Sequence, residues 1–259
     1  MYLVLKTIKT LITVFYILIF LVICICKHSY AREIRIGVAS NFLMPMNVIK
    51  QNFESENKTK IYLSSGSSGS LYSQIINGAP LDIFLSANQD LPKKLENSAK
   101  GVKGTRFTYA TGKLLLFSTN KNLFDFTFPN IILSEKIKYV GMGNPKYVPY
   151  GMAAKEVLKS LKVFNRLEKK IILSKNVNQV FLMNYYGNLD VGFIAKSDFI
   201  IKNKKGKVWD IPQEFYSPIN QDAILLEYGE KKPEAKIFLK FLSSKKVRDK
   251  LISFGYIVN

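Results

Sequence analysis

Short apolar runs alternate with helical segments along nearly the whole chain, and the turns between them are built from glycine and small polar residues. Residues 33–38 alternate in the manner of a strand, and 46–53 have helical spacing with Pro45 near the start. Residues 61–63 read as a strand and 69–76 as a helix. Residues 81–85 are a buried strand entered through the turn Gly78-Ala79-Pro80, and 89–97 a helix. Residues 107–119 are apolar and β-rich. Strands follow at 138–142, 171–173, 190–195 and 223–227, and helices at 152–162, 177–186, 233–242 and 245–254. This order predicts an α/β fold whose sheets carry helices on both faces. The β-rich stretches near Ala110 and Ile219 read as crossings between two lobes. Residues 32–110 and 221–259 then make a discontinuous first lobe, and 111–220 a second.

The beginning of the chain reads as an export signal. Lys6 and Lys9 precede an apolar run over 11–26, and Ser29-Tyr30-Ala31 supplies small residues at the cleavage spacing. The expected cut follows Ala31, and a segment that stays attached would tether the protein to the membrane. The run is shorter than the roughly 20 apolar residues of a full span. Cys24, Cys26 and the single histidine, His28, all lie inside this segment. The exported remainder therefore holds no cysteine and no histidine. That excludes Ser-His-Asp and Cys-His catalysis, a disulfide framework, and a zinc site of imidazole or thiolate. No enzyme activity, cofactor or free metal cation is expected.

The formal net charge is +19, and cleavage removes only Lys6, Lys9 and Lys27. A basic balance favours anionic partners. The lysines are scattered, however, with small clusters at 202–205 and 231–232, and aromatics do not interleave them as in a nucleic-acid groove. No nucleic-acid partner is expected. The basic stretch 202–207 reads as a solvated loop, with partner docking as the other reading.

Four predicted strand-to-helix junctions share a character: Val38-Ala39-Ser40-Asn41, Gly66-Ser67-Ser68-Gly69, Pro149-Tyr150-Gly151 and Ser174-Lys175-Asn176-Val177. Each puts a hydroxyl, an amide or a free N–H at a helix start, where the helix dipole adds partial positive charge. In open α/β sheets, ligands sit beside such junctions at the carboxyl ends of strands. Two readings are open. The junctions are four ordinary N-caps, or they converge into a cage of neutral donors for an oxyanion. Catalytic motifs fail: Gly66-x-Ser68-Gly69 is one residue short of a nucleophile elbow, and the P-loop ending at Gly112-Lys113 would need glycine where Phe107 stands. Asp82, Asp190 and Asp222 read as structural carboxylates, and Trp209 and the aromatics over 124–128 as core.

The chain resembles the periplasmic molybdate-binding proteins of ATP-driven transporters, the ModA type. The resemblance rests on Val38-Ala39-Ser40-Asn41-Phe42, on Ser65-Gly66-Ser67-Ser68-Gly69-Ser70, and on Gln74-Ile75-x-x-Gly78-Ala79-Pro80-x-Asp82-Ile83-Phe84-Leu85-Ser86-Ala87. It continues through Arg106-Phe107-Thr108-Tyr109-Ala110-x-Gly112-Lys113, Asn144-Pro145-x-x-x-Pro149-Tyr150-Gly151, Gly192-Phe193-Ile194-Ala195 and Phe254-Gly255-Tyr256. It implies a two-lobed periplasmic binding protein fold of type II, with the ligand in the interlobe cleft and closure by a hinge. It also implies a monomeric periplasmic receptor that hands molybdate or tungstate to an ABC permease in the inner membrane. The ligand shell it implies is Ser40, Asn41, Ser68, Tyr150 and the N–H of Val177, with Ser67 as a further candidate. Asn41 and Tyr150 match one branch of the family, while Ser40 stands where that branch often has Ala or Thr. Sulfate, phosphate or another tetrahedral oxyanion is the alternative ligand on the same fold.

Overall fold

The computed structural model describes residues 12, 13, 15 and 16, 32–202 and 205–258. Met1–Arg32 forms one unit and Glu33–Asn259 another. Of the first, Ile12, Thr13, Phe15 and Tyr16 are helical. The expected cleavage point at Ala31, both cysteines and His28 lie outside the described residues.

The second unit is built on two five-stranded sheets. In chain order its main elements are β1 (Arg32–Ala39), α1 (Leu43–Glu56), β2 (Thr59–Gly66), α2 (Ser68–Ile76), β3 (Ile83–Leu85), α3 (Asp90–Asn97), β4 (Phe107–Gly112) and β5 (Leu114–Ser118). There follow β6 (Val140–Gly143), α4 (Pro149–Ser160), β7 (Ile171–Ser174), α5 (Val177–Tyr185), β8 (Val191–Ala195), α6 (Lys196–Lys202), β9 (Lys207–Asp210), β10 (Ile219–Leu225), α7 (Pro233–Leu242) and α8 (Lys245–Ser253). The first sheet runs β2-β1-β3-β10-β4 and the second β7-β6-β8-β5-β9. β1 and β3 are parallel, with Val38 opposite Leu85, and β10 is antiparallel to β3 and β4. In the second sheet β6 is parallel to β7 and β8, while β5 is antiparallel to β8 and β9.

The apolar range read as one β-rich stretch is two strands in different sheets. The chain leaves the first sheet after Gly112 and enters the second at Leu114. It returns at Ile219. Each sheet buries residues on both faces, as strands flanked by helices must. Ile34, Ile36 and Val38 pack with Phe42, Met46 and Phe53, while Phe84 and Ile224 meet Leu71, Ile75 and Leu95 on the opposite face. In the second sheet Leu114 and Leu116 face one cluster, and Leu115 and Phe117 face another. That is the period-two alternation of a strand.

Several expectations shift. α1 is longer than 46–53, and α4 begins at Pro149, so Tyr150 and Gly151 stand inside its first turn. β10 begins four residues before the expected Ala223. Lys196 to Lys202 is a helix that the sequence reading passed over. The loop read as solvated does not leave its outer lysines free. Lys202 pairs with Asp198 at 3.5 Å and stands over the Phe181 ring, while Lys207 stands over Trp209 and reaches the carbonyls of Phe124 and Phe126. Their apolar stems and ring faces hold these cations inward. The carboxylates read as structural are so placed: Asp82 accepts from the Arg35 N–H and Lys232, Asp190 from the Lys138 and Tyr139 N–H groups, and Asp222 from Arg106 and Thr108. Trp209 is buried, and its indole N–H donates to the Phe126 carbonyl at 2.7 Å.

Candidate functional site

All four junctions singled out in the sequence are strand-to-helix turns. Two end strands of the first sheet: β1 runs into the short helical turn Ser40–Phe42, and β2 into α2. Two end strands of the second: β6 leads to α4, and β7 to α5. The local chemistry explains each turn. Ser67 caps α2, accepting the Ser70 N–H at 3.2 Å, and Asn176 caps α5, accepting the Gln179 N–H at 2.9 Å. Pro149 opens α4, where a missing N–H costs nothing.

The fold brings the junctions together. Ala39 and Ala87 of the first sheet's end share one buried cluster with Val148, Tyr150 and Val177 of the second. Helix α5 packs against the turn Ser40–Phe42. The Gly69 N–H donates to the Tyr147 carbonyl at 3.0 Å, a direct main-chain bond from the second junction to the third. This approach needs glycine: a Cβ on Gly69 would stand 2.9 Å from the Tyr147 Cα. Gly112, where the chain leaves the first sheet, is held to glycine for a related reason, since a Cβ there would meet the Tyr150 hydroxyl at 2.0 Å.

Ser40, Asn41, Ser67, Ser68, Tyr150 and Val177 are all buried, none more than 6 % exposed. Ser68 accepts the Ala87 N–H at 2.9 Å and Tyr150 accepts from Gln221 at 3.3 Å. Among the described residues none accepts the hydroxyl protons of Ser40, Ser68 or Tyr150. The Val177 N–H is one of the donors that a helix's own ladder leaves open. Asn41 differs: its side-chain nitrogen donates to Gln221 at 2.9 Å and to the Tyr256 hydroxyl at 3.2 Å, which uses both of its hydrogens. The Asn41 side chain thus has no N–H left for a ligand. Ser67 lines a cleft of about 640 Å³ with Gly69, Ser70, Tyr147, Ser174, Lys175 and Asn176, and it is the one of the six residues among that lining.

The electrostatics are those of a neutral donor set. No Lys, Arg, Asp or Glu bonds the side chains of these six residues among the described residues. Burial holds the Tyr150 and Tyr109 phenols well above their ordinary range, and Tyr256 is raised for the same reason. All three phenols remain protonated donors at neutral pH. Convergent neutral donors at helix starts can hold a desolvated anion with charge-assisted hydrogen bonds and no counter-ion.

The sequence reading missed the layer behind this set: Gln221, Tyr109, Tyr256 and Ser197. Tyr109 donates to Gln221 at 3.0 Å, and the Ser197 and Tyr256 hydroxyls stand 3.2 and 3.0 Å from the Asn41 carbonyl. One signal was available. Asn220-Gln221-Asp222 puts three polar residues inside what is otherwise an apolar strand.

Two sheets joined by two crossings, with a cleft lined from both, define a two-lobed α/β solute-binding protein. The chain belongs to the bacterial extracellular solute-binding proteins, whose family sequence model matches residues 34–257. It is 36% identical over 231 residues to the molybdate-binding protein ModA of Azotobacter vinelandii, covering 88% of this chain and 91% of that one. It is equally 36% identical, over 237 residues, to ModA of Rhodobacter capsulatus, covering 92% and 93% of the two chains. Among solved structures, the periplasmic molybdate-binding protein of A. vinelandii superposes with a TM-score of 0.83 at 31% identity, over 87% of this chain and 99% of that one.

Proposed function

We propose that this chain is the substrate-binding protein of an ABC transporter, that it captures molybdate or tungstate in the periplasm, and that it delivers the anion to a permease in the inner membrane. It acts as a monomer and transforms nothing. The observation that carries this reading is that strand ends of both sheets meet in one buried cluster, with buried hydroxyls at and beside it and no basic side chain bonded to them. The names of the two 36%-identical relatives point the same way.

In this reading the ligand is held by the hydroxyls of Ser40, Ser68 and Tyr150 and the main-chain N–H groups of Asn41 and Val177. Ser67, already a helix cap, stands at the edge. The lobes divide where the chain changes sheets, 32–112 with 219–259 in one and 114–218 in the other, a shift of two residues from the expected bounds, and the Gly69–Tyr147 bond belongs to their closed arrangement. Sulfate and phosphate are the competing ligands. A hydrogen phosphate carries a proton that wants an acceptor, and the six side chains present no carboxylate to it.

A thermal-shift series with molybdate, tungstate, sulfate, phosphate and chloride tests the assignment. A ligand that binds only the folded state raises Tm with the logarithm of its concentration over Kd. Molybdate and tungstate are expected to raise it strongly and sulfate little. A shift with sulfate or phosphate alone would change the substrate and keep the cage.

A further inference from the structure

We infer that Gln221 is a positioning residue: it fixes the Tyr150 phenol as a hydrogen-bond donor toward the cleft. The inference rests on the reading of that cleft as an oxyanion site. Gln221 is fully buried in β10, at a point where the ladder with β4 shifts register between Gln221 and Asp222. Such an irregularity re-aims side chains. Gln221 reaches Asn41, Tyr109 and Tyr150, while its neighbour Asp222 turns to Arg106 and Thr108.

The hydrogen bonds around Gln221 form a chain that runs from the Asn41 main chain to Tyr150. The main-chain carbonyl of Asn41 can only accept. The Tyr256 hydroxyl, 3.0 Å away, donates toward it, or toward the Ser197 hydroxyl also 3.0 Å away. In either case Tyr256 has a lone pair left to receive the Asn41 side-chain N–H at 3.2 Å. With the Asn41 amide turned this way, its second N–H goes to the Gln221 Oε1 at 2.9 Å. The same oxygen takes the Tyr109 hydroxyl at 3.0 Å, a shorter reach than that proton's other acceptor, the Ser86 carbonyl at 3.4 Å. With Oε1 so occupied, the Gln221 nitrogen faces Tyr150 and donates to its hydroxyl at 3.3 Å. The acceptor side of Tyr150 is filled, and its one proton finds no acceptor among the described residues. A ligand oxygen is the group that can receive it.

The opposite direction would undo the site. A Gln221 turned end for end would draw the Tyr150 proton onto its own oxygen and leave the phenol's lone pair facing an anion. A chain running in this direction suits a tetrahedral anion with no proton of its own, such as molybdate. An anion bearing a hydroxyl would set that proton against a donor.

The test is a double-mutant cycle read by calorimetric titration of the purified protein with molybdate, using wild type, Gln221→Met, Tyr150→Phe and the double variant. Loss of one hydrogen bond to a charged acceptor makes the expected weakening by Gln221→Met about tenfold in wild type, and no more than about twofold when Tyr150 is already Phe. An equal weakening in both backgrounds, or none in wild type, would overturn the inference and leave the anion site standing. Failure of wild type to bind any of molybdate, tungstate, sulfate or phosphate would remove the reading beneath it as well. Gln221→Glu guards against misfolding of the Met variant, because it keeps the shape and, read at a pH where the carboxyl is ionised, can only accept. It is expected to lose more than about tenfold in molybdate affinity, and wild-type affinity in that variant would also overturn the inference.

Discussion

Tyr150 has little freedom at the scale of a single residue. Burial keeps its phenol protonated, Gly112 leaves room for its hydroxyl, and Gln221 occupies its lone pair. In the proposed site it is a donor to the anion. Tyr150→Phe deletes one hydrogen bond to a charged acceptor, worth about 1.5–3 kcal/mol, and is expected to raise the molybdate Kd by roughly tenfold to a hundredfold. Calorimetric titration reads this directly, and an unchanged Kd would take Tyr150 out of the ligand set. Asp198 makes a prediction of a different kind. Burial raises its carboxyl from 3.8 to about 6, against the pull of Lys202. The folded state therefore holds this proton more tightly than the unfolded one does. The stability it contributes is fully present below pH 3.8 and is lost as pH rises to about 6. Melting curves of wild type and Asp198→Asn across that interval isolate the effect. Wild type is expected to lose stability relative to the variant as pH rises, by at most about 3 kcal/mol, and to hold level above it.

At the scale of elements, the helix starts carry the argument. The turn from β2 into α2 shows how a main-chain contact constrains sequence. Gly69 sits in the first turn of α2, where alanine would favour the helix by about 1 kcal/mol, yet a Cβ there meets the Tyr147 backbone of the other lobe. Gly69→Ala is thus expected to leave the unliganded Tm unchanged or higher and to weaken molybdate binding. Equal affinity in wild type and variant would show that the Gly69–Tyr147 bond is no part of the bound state. The four junctions were legible in the sequence because glycine, serine and asparagine stand right after apolar runs, and local propensity decides such turns. Two other elements were not. Helix α6 starts at Lys196, directly after the last residue of β8, with no turn residue between them, and its lysines read as loop. β10 begins with Ile219-Asn220-Gln221-Asp222, a stretch that reads as a crossing between lobes, with the strand itself expected only from Ala223. Those polar groups are satisfied inside only because Asn41, Thr111 and Arg106 arrive from more than a hundred residues away. No local pattern encodes that pairing.

At the scale of the whole molecule, two sheets meet at the carboxyl ends of their strands, and the polar cleft follows from that meeting. The α/β order and the crossings near Ala110 and Ile219 were readable from alternation alone. The meeting of the first sheet's strand ends at Ala39 and Ala87 with Tyr150 and Val177 was not, because it depends on how the second sheet is set against the first. Nor was the commitment of the Asn41 side chain to Gln221 and Tyr256, which leaves it no N–H for a ligand. A closed pair of lobes bound to a small anion buries that anion away from water, where each donor counts for more than it would at the surface. The most direct test is a crystal structure grown with molybdate, with the metal located by its anomalous scattering. The account predicts a single strong peak between the two sheets, its oxygens within hydrogen-bond reach of Ser40, Ser68, Tyr150 and the N–H groups of Asn41 and Val177. A peak held by surface lysines, or an interlobe cleft without one, would contradict it.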